Sequence, residues 1–318
     1  MALVKRIGNS LSFRGRGFLR SLLNMRTGRV RDRAMPLLRS IQLKTSADFP
    51  FTLATLVGKK QLPDLLFALV SYERAVGSIG NLTVLSDGSL DRQDAEFLSK
   101  WHDRCQVFLD FPSFCDYHHY KPHPTLSQFY KAHYLAPKVI ILDAVQSVTN
   151  CLLIDSDVVF FQNPLTTLLH CVEAHECTCL EDEVESFDRN VIEFAQTNSI
   201  APIGKINTGL VYAPQGSLNG LDWGKIISAK SLANPHVFTE QTSIAVALET
   251  VGYRFFPKAE FVVALRGAAF PYGDYKPFHD IQQPYESLVC RHFVTPIRYL
   301  MWLKAFPKLK ASLMSMSN

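Results

Sequence analysis

Residues Cys151-Leu-Leu-Ile-Asp155-Ser-Asp157-Val-Val-Phe-Phe-Gln-Asn-Pro164 place two carboxylates inside an otherwise apolar stretch. The apolar residues predict one buried strand with both carboxylates in its middle. Because strand side chains alternate between faces, we expect Asp155 and Asp157 to point to the same side. Two like charges this close repel each other, and burial makes their ionisation costlier. A divalent cation, Mg²⁺ or Mn²⁺, between the carboxylates and a diphosphate would remove the repulsion, since both ions take oxygen ligands.

Strands and helical stretches alternate along the chain, which predicts an α/β protein with βαβ units and a mostly parallel sheet. Ligands of such sheets bind outside the carboxyl ends of the strands. Asp87, Asp155 and Asp157 all fall at that edge in the predicted arrangement. We predict an irregular loop over the Pro- and His-rich residues 111–124, and a helix that begins with Thr239 as its N-cap. The other predicted elements are strands at 51–58, 82–88, 105–109 and 206–214, and helices at 62–76, 91–102 and 126–145.

Charge is distributed unevenly along the 318 residues. Residues 1–44 contain eleven Lys or Arg and a single acid, so they carry a net charge of +10. Since the whole chain carries +4, the remaining residues carry −6. Cations mixed with Phe and Leu predict contact with an anionic membrane surface, and the basic aromatic segment 298–310 repeats the pattern. The alternative is a solvated arm and a helix packed on the body. Nucleic acid is not expected as a partner, because the body is acidic and has no nucleic-acid-binding motif.

Three segments follow from these patterns: a basic N-terminal arm at 1–49, a single catalytic domain at 50–297 and a basic aromatic tail at 298–318. No apolar run approaches the roughly 18 residues of a membrane-spanning helix. The seven cysteines are odd in number and show no framework spacing, which predicts free thiols in a reducing compartment. We therefore expect a cytoplasmic protein, with peripheral attachment to a membrane.

The chain contains, in this order, Leu-Ser-Asp87-Gly, the Asp155-Ser-Asp157 stretch, Ile-Asn207-Thr-Gly209 and Glu240-Gln-Thr. Together these four motifs resemble a known family, the GT-A-fold nucleotide-sugar glycosyltransferases. Within that family, the motifs are most similar to those of the glycogenin- and galactosyltransferase-like group, glycosyl transferase family 8. The resemblance spans about residues 50–295. The resemblance implies a Rossmann-like central sheet flanked by helices, a divalent cation and a UDP-sugar or related donor.

The resemblance also implies a role for each matching residue. In the metal site, Asp155 and Asp157 would bind the cation and His292 would complete its ligand shell. Asp87, Asp155, Lys138 and Gly209 would contact the donor nucleotide or its sugar. In the reacting centre, Asn207, Glu240 and Gln241 would lie beside the transferred sugar. Each of these residues except Asp155 and Asp157 also has a purely structural interpretation. Asp87 and Asn207–Gly209 could form turns, and Glu240 and Gln241 could cap a helix. His292 could be a structural histidine, and Lys138 could lie on a solvated helix face.

The expected reaction moves a sugar from a nucleotide diphosphate to an acceptor hydroxyl, with the cation stabilising the departing diphosphate. An inverting route needs a carboxylate base, for which Glu240, Glu181 or Asp182 could serve. The family likeness favours retention, with Gln241 near the anomeric carbon. The acceptor would be a lipid-linked or cell-envelope glycan if the arm holds the protein to lipid. Two alternatives stay open: a nucleotidyltransferase, although the expected Gly-rich loop at 57–63 holds a single Gly, and an inactive membrane-bound scaffold.

Overall fold

A computed structural model describes residues 13–200, 204–263 and 281–316 of the chain. Its central sheet has seven strands in the order β3-β2-β1-β4-β7-β6-β8. Strands β3, β2, β1 and β4 run parallel to one another, β7 is antiparallel to both β4 and β6, and β8 is parallel to β6. A second sheet has the order β5-β10-β9. The strands are β1 Thr52–Val57, β2 Leu82–Ser86, β3 Cys105–Phe108, β4 Cys151–Ile154, β5 Val158–Phe160, β6 Cys177–Glu181, β7 Ile206–Ala213, β8 Tyr253–Phe255, β9 Phe261–Val262 and β10 Cys290–His292.

Helices cover both faces of the central sheet, and each face has its own apolar core. A π-helix at Met301–Ala305 joins the last two α-helices, and short 3₁₀ helices lie at Trp223–Lys225, Tyr285–Ser287 and Thr295–Ile297. The α-helices are α1 Phe13–Ser40, α2 Leu62–Val76, α3 Arg92–Trp101, α4 Phe111–Tyr117, α5 Pro124–Ala132, α6 Ala136–Val148, α7 Leu165–Ala174, α8 Arg189–Thr197, α9 Ala229–Ala233, α10 Thr239–Val251, α11 Arg298–Leu300 and α12 Phe306–Met316. The predicted α/β class with a helix-flanked, mostly parallel sheet is confirmed, with β7 as the point where direction reverses.

The predicted single strand around Asp155 is wrong, because the chain breaks there into two strands of different sheets. Strand β4 ends at Ile154, and β5 starts at Val158. The Val158 N–H donates to the Asp155 carbonyl at 3.2 Å, which closes a turn over the residues between the strands. Apolar residues continue on both sides since both strands are buried, so the sequence pattern hides the break. The two carboxylates therefore lie on a turn at the carboxyl edge of the sheet.

Two further local predictions are also wrong. Residues 111–124 are not irregular throughout, since Asp110 caps helix α4 by accepting from the Ser113 N–H at 2.8 Å. A proline in the first turn of α4 fits a helix start, where the missing N–H costs no hydrogen bond. Thr239 is not the N-cap of α10; Phe238 holds that position, and the Thr239 hydroxyl donates to Asp188 Oδ2 at 2.6 Å.

The described parts of the arm and the tail pack on the body. Ala34 and Leu38 of α1 are buried in the core that contains α2, and Trp302 and Phe306 enter the same core from the C-terminal helices. The Trp302 ring lies 5.4 Å from the Phe67 ring of α2. All seven cysteines are free thiols, as predicted. No described helix is long and apolar enough to cross a bilayer.

Candidate active site

Three strands bring the two carboxylates and His292 together. The Asp155 N–H donates to the Gly209 carbonyl of β7 at 2.8 Å, which fixes the turn after β4. Strands β5 and β10 are antiparallel with Val158 opposite His292, so His292 lies beside the turn that precedes β5. The Phe293 N–H donates to the Asp157 carbonyl at 2.8 Å and locks the two segments. Strand pairing therefore joins residues that are more than 130 positions apart in sequence.

The side chains of Asp155, Asp157 and His292 converge at this edge. Their ligand atoms lie within 4.8 Å of one another, the one such group of His, Cys and acid residues among the described ranges. His292 Nε2 lies 3.1 Å from Asp157 Oδ1 and 3.6 Å from Asp155 Oδ2. Adjacent ligands of an octahedral ion are about 3 Å apart when each lies about 2.1 Å from the ion. Two carboxylates and an imidazole at these separations fit a Mn²⁺ or Mg²⁺ ion.

Arg298 balances the charge of Asp157, which is almost fully buried. Its Nε and Nη2 donate to Asp157 Oδ2 at 3.0 and 2.6 Å, which leaves Oδ1 facing His292. Burial alone would raise the pKa of Asp157, but Arg298 and His292 outweigh burial and hold it well below the usual range. Asp64 of α2 lies 4.0 Å from the same guanidinium and accepts from Trp302 Nε1 at 2.7 Å. The C-terminal helices thus reach directly into the site.

A second buried cation, Lys138 of α6, neutralises the carboxylates on the other side. Its Nζ lies 2.7 Å from Asp155 Oδ1 and 3.4 Å from Glu240 Oε1, and it donates to Thr208 Oγ1 at 3.1 Å. Burial favours the neutral amine, yet the net pKa of Lys138 is raised because Asp155 and Glu240 favour its charged form. Burial also raises the pKa of Glu240, against the opposing effect of Lys138. The Lys138 side chain is therefore not on a solvated helix face, and the Glu240 carboxylate pairs with Lys138 rather than capping a helix.

Asn207 contacts His292. Its Oδ1 lies 2.8 Å from His292 Nδ1 and accepts from the Gly209 N–H at 3.0 Å, while its Nδ2 donates to Asp182 Oδ2 at 3.1 Å. Gly209 lies directly under the imidazole, because a Cβ built on it would fall 2.7 Å from His292 Cγ and closer still to two other ring atoms. The Asn-Thr-Gly sequence on β7 is thus a support for His292 and Lys138 and not a turn.

Two of the sequence-predicted residues, Asp87 and Gln241, have hydrogen-bond partners outside this cluster. Asp87 is exposed at the end of β2, where its Oδ1 accepts from the Ser89 N–H at 2.9 Å, the local turn bond of the plainer interpretation. Its carboxylate lies over Gly58, at the end of β1, where a Cβ would meet it. Gln241 is half-buried, and its Nε2 donates to the Ser186 carbonyl at 3.0 Å.

Sequence reasoning missed Arg298, Asp64 and Thr208 as members of the site. Arg298 was part of the segment interpreted as a membrane-binding tail, although its place six residues after His292 is a usable signal. Asp64 carries a weaker signal, as an acid in the apolar first turn of α2. Burial raises the pKa of Asp64 to about 6. Thr208 lies inside a motif whose other two residues were assigned roles.

Comparison with known proteins places this architecture among glycosyltransferases. A solved structure of the galactosyltransferase LgtC, in complex with donor and acceptor sugar analogues, matches 82% of this chain and 96% of its own with a TM-score of 0.54 and 12% identity. Apo mouse xyloside xylosyltransferase 1 matches over 78% of this chain and 98% of its own, with a TM-score of 0.50 and 13% identity. No protein-family model and no curated protein sequence matches the chain.

At this level of identity the likeness establishes the fold. The chain has the GT-A fold of nucleotide-sugar glycosyltransferases, as the four motifs predicted.

Proposed function

We propose that this protein is a metal-dependent glycosyltransferase that moves a sugar from a nucleotide diphosphate, a UDP-sugar being the expected donor, to an acceptor hydroxyl. The observation that carries the proposal is the convergence of Asp155, Asp157 and His292 at the carboxyl end of β4 in a GT-A fold. Ligands of open α/β sheets bind at that edge. The mixed set of carboxylate oxygens and one imidazole nitrogen suits Mn²⁺ or Mg²⁺.

The bound cation would supply Lewis-acid stabilisation of the diphosphate as it departs. Asp157 would offer Oδ1, since Arg298 occupies its other oxygen, and His292 would offer Nε2. Asp155 would offer Oδ2, since Lys138 holds its Oδ1. Each carboxylate thus keeps one oxygen for the ion and one for a buried cation, which limits the repulsion between the acids before the ion binds.

The contacts of the three candidate bases favour a retaining route. Glu240 is paired with Lys138, Asp182 accepts from Asn207 and from the Glu183 N–H, and Glu181 forms an ion pair with Lys258 at 2.6 Å. A general base needs a free lone pair aimed at the acceptor. Retention needs no strong base, and Gln241 at the start of α10 is the residue we propose beside the anomeric carbon. Asp87 and Gly209 are proposed as donor contacts.

We also propose an anionic membrane surface as a partner of residues 1–44 and 298–310, and a lipid-linked or cell-envelope glycan as acceptor. In the second segment only the exposed cations are available for a membrane, because Trp302 and Phe306 are buried in the core and Arg298 binds Asp157. Arg26, Arg29 and Arg33 are exposed on α1 at spacings of three and four, so they share one side of the helix. Lys308 and Lys310 are exposed on α12. Residues 1–12 and the side chains up to 21 lie outside the described parts of the chain. The three-segment division stays a prediction.

The test of the proposed function is titration calorimetry of UDP with and without Mn²⁺, on the wild type, on Asp157→Asn and on Asp103→Asn. Asp103 is exposed and serves as the matched control. We expect UDP binding that requires Mn²⁺ in the wild type and the control. Asp157→Asn should lose it, because it removes one anionic ligand. GDP and dTDP in the same protocol identify a different base, and binding of no nucleotide would favour the scaffold over an enzyme.

The test of the membrane partner is sedimentation with phosphatidylcholine vesicles that contain or lack phosphatidylglycerol. Each Arg near an anionic surface contributes about 1 kcal/mol, so replacing Arg26, Arg29 and Arg33 by Gln should weaken binding about 100-fold. The control replaces Lys121, Lys225 and Lys230, which are exposed elsewhere on the body. Equal sedimentation of both variants, or binding that ignores phosphatidylglycerol, would refute this surface.

A further inference from the structure

A buried chain of polar contacts runs from Asp182 through Asn207 to His292. The three side chains belong to the end of β6, to β7 and to β10, and their exposed fractions are 4%, 3% and 5%. The contacts are Asp182 Oδ2 to Asn207 Nδ2 at 3.1 Å and Asn207 Oδ1 to His292 Nδ1 at 2.8 Å. The sequence resemblance assigned Asn207 to the donor-sugar pocket. In the structure, both ends of its side-chain amide are committed to protein groups.

The backbone fixes the direction of every hydrogen bond in this chain. The Gly209 N–H can only donate, so the Asn207 atom 3.0 Å from it must be the amide oxygen. The same oxygen faces His292 Nδ1 and can only accept, so Nδ1 carries a proton in this contact. On the other side of the ring, Nε2 lies 3.1 Å from Asp157 Oδ1, so in the absence of a metal Nε2 also faces an acceptor. At the far end the amide nitrogen meets a carboxylate oxygen, which is again a donor facing an acceptor.

The reversed arrangement would break two contacts at once. If the amide rotated by 180°, its NH₂ would face the Gly209 N–H and its oxygen would face Asp182. Leaving a buried donor or acceptor unsatisfied costs about 1–3 kcal/mol for each group. Asp182 is itself held in place, since its Oδ1 accepts from the Glu183 N–H at 2.8 Å. The amide orientation is therefore determined from both ends.

We propose that Asn207 is a positioning residue that keeps the proton of His292 on Nδ1 and so leaves the Nε2 lone pair for the metal, with Asp182 and the Gly209 N–H fixing the amide. This inference rests on the proposed function, because the metal gives Nε2 its role. Histidines that bind metals are held in one tautomer by a group on their other nitrogen, and removing that group lowers metal affinity about 10- to 100-fold.

The first experiment locates the proton of His292 without using metal or activity. Long-range ¹H–¹⁵N spectra of metal-free protein show, for each of the two ring nitrogens, whether it carries a proton. The signals are assigned by their loss in His292→Gln. We expect a proton on Nδ1 in the wild type. In Asn207→Ala we expect the proton to move to Nε2, where Asp157 is the remaining acceptor. A wild type with no proton on Nδ1 would overturn the inference.

The second experiment exchanges the amide and the carboxylate. Asn207→Asp alone sets two carboxylates against each other, whereas Asn207→Asp combined with Asp182→Asn restores a donor facing an acceptor at both contacts. Mn²⁺ affinity from calorimetry should fall about 10- to 100-fold in Asn207→Ala and in the single Asn207→Asp, and return to within a few-fold of the wild type in the double variant. The exposed Asn234→Ala is the matched control. No recovery in a folded double variant would contradict the inference.

These measurements separate the inference from the proposed function. A wild type that carries the Nδ1 proton and binds no Mn²⁺ would refute the metal-dependent function while the hydrogen-bond chain stands. A wild type that binds Mn²⁺ but carries no proton on Nδ1 in the metal-free state would refute the positioning role alone.

Discussion

Gly209→Ala tests whether the position of His292 determines metal binding. A Cβ at residue 209 would lie 2.7 Å from His292 Cγ and closer to two other ring atoms, whereas ordinary contacts lie between 3.4 and 4 Å. The imidazole must therefore move by about 1 Å, because β7 is a central strand and cannot retreat. Because the displacement disturbs a proposed metal ligand, we expect the Mn²⁺ affinity to fall about 10- to 100-fold, or about 1.4–2.7 kcal/mol. Overpacking should lower the free energy of unfolding by a further 1–3 kcal/mol, roughly.

The assay is Mn²⁺ titration of the folded variant, with urea unfolding measured in parallel to separate affinity from stability. Gly28→Ala is the matched control, since no atom lies within 4 Å of a Cβ at that position of α1. We expect the control to keep its Mn²⁺ affinity and to gain helix stability of up to about 1 kcal/mol. Gly209→Ala with unchanged Mn²⁺ affinity would show that His292 is not a ligand, or that the strand yields instead of the ring.

Three further predictions concern the buried charges and the C-terminal helices. Lys138→Met leaves Glu240 buried without a cation, so the free energy of unfolding in urea at about pH 7 should fall by about 3–5 kcal/mol. The deficit should shrink as the pH is lowered, because burial raises the pKa of Glu240 and its protonation removes the unpaired charge. Burial raises the pKa of Asp64 from 3.8 to about 6 in the folded protein. As the pH rises from about 4 to 7, the free energy of unfolding of the wild type should therefore fall by about 3 kcal/mol relative to that of Asp64→Asn. Parallel curves of stability against pH would contradict this. Trp302→Ala should lower the free energy of unfolding by about 3–5 kcal/mol. Trp302→Phe, which loses the bond to Asp64 and only part of the buried ring, should cost less than Trp302→Ala. A small effect of Trp302→Ala would mean that the tail is not part of the core.

The fold was accessible from the sequence because its signals are local. Helix α2 was predicted with its observed bounds, since its apolar spacing begins beside a proline and ends at Gly77, which adopts the left-handed φ of 87°. The split between β4 and β5 was not accessible, because the residues on both sides of Asp155 are apolar in both arrangements. Helix α4 was missed despite a usable signal, the Asp110 cap followed by a proline.

The site was only partly predictable, for a related reason. The grouping of Asp155, Asp157 and His292 was implied by the resemblance to GT-A glycosyltransferases, but the partners of these residues depend on long-range pairing. Arg298 lies 141 residues from Asp157 in sequence, and no local pattern connects them. The side-chain direction of Asn207 depends on β7, whose register against β6 shifts between Cys179 and Leu180. A sequence pattern does not reveal such a bulge.

The ion pair between Arg298 and Asp157 has a consequence for the biosynthesis of the protein. Ribosomes add about 5–20 residues per second, so Asp157 emerges roughly 7–28 s before its cationic partner, which lies 141 residues later. During that interval the central strands up to β4 are already available for pairing, but the turn that follows them carries two acids without the guanidinium that offsets Asp157. A nascent chain can therefore assemble most of the sheet early and acquires a charge-balanced turn only after His292 and the C-terminal helices have been synthesised.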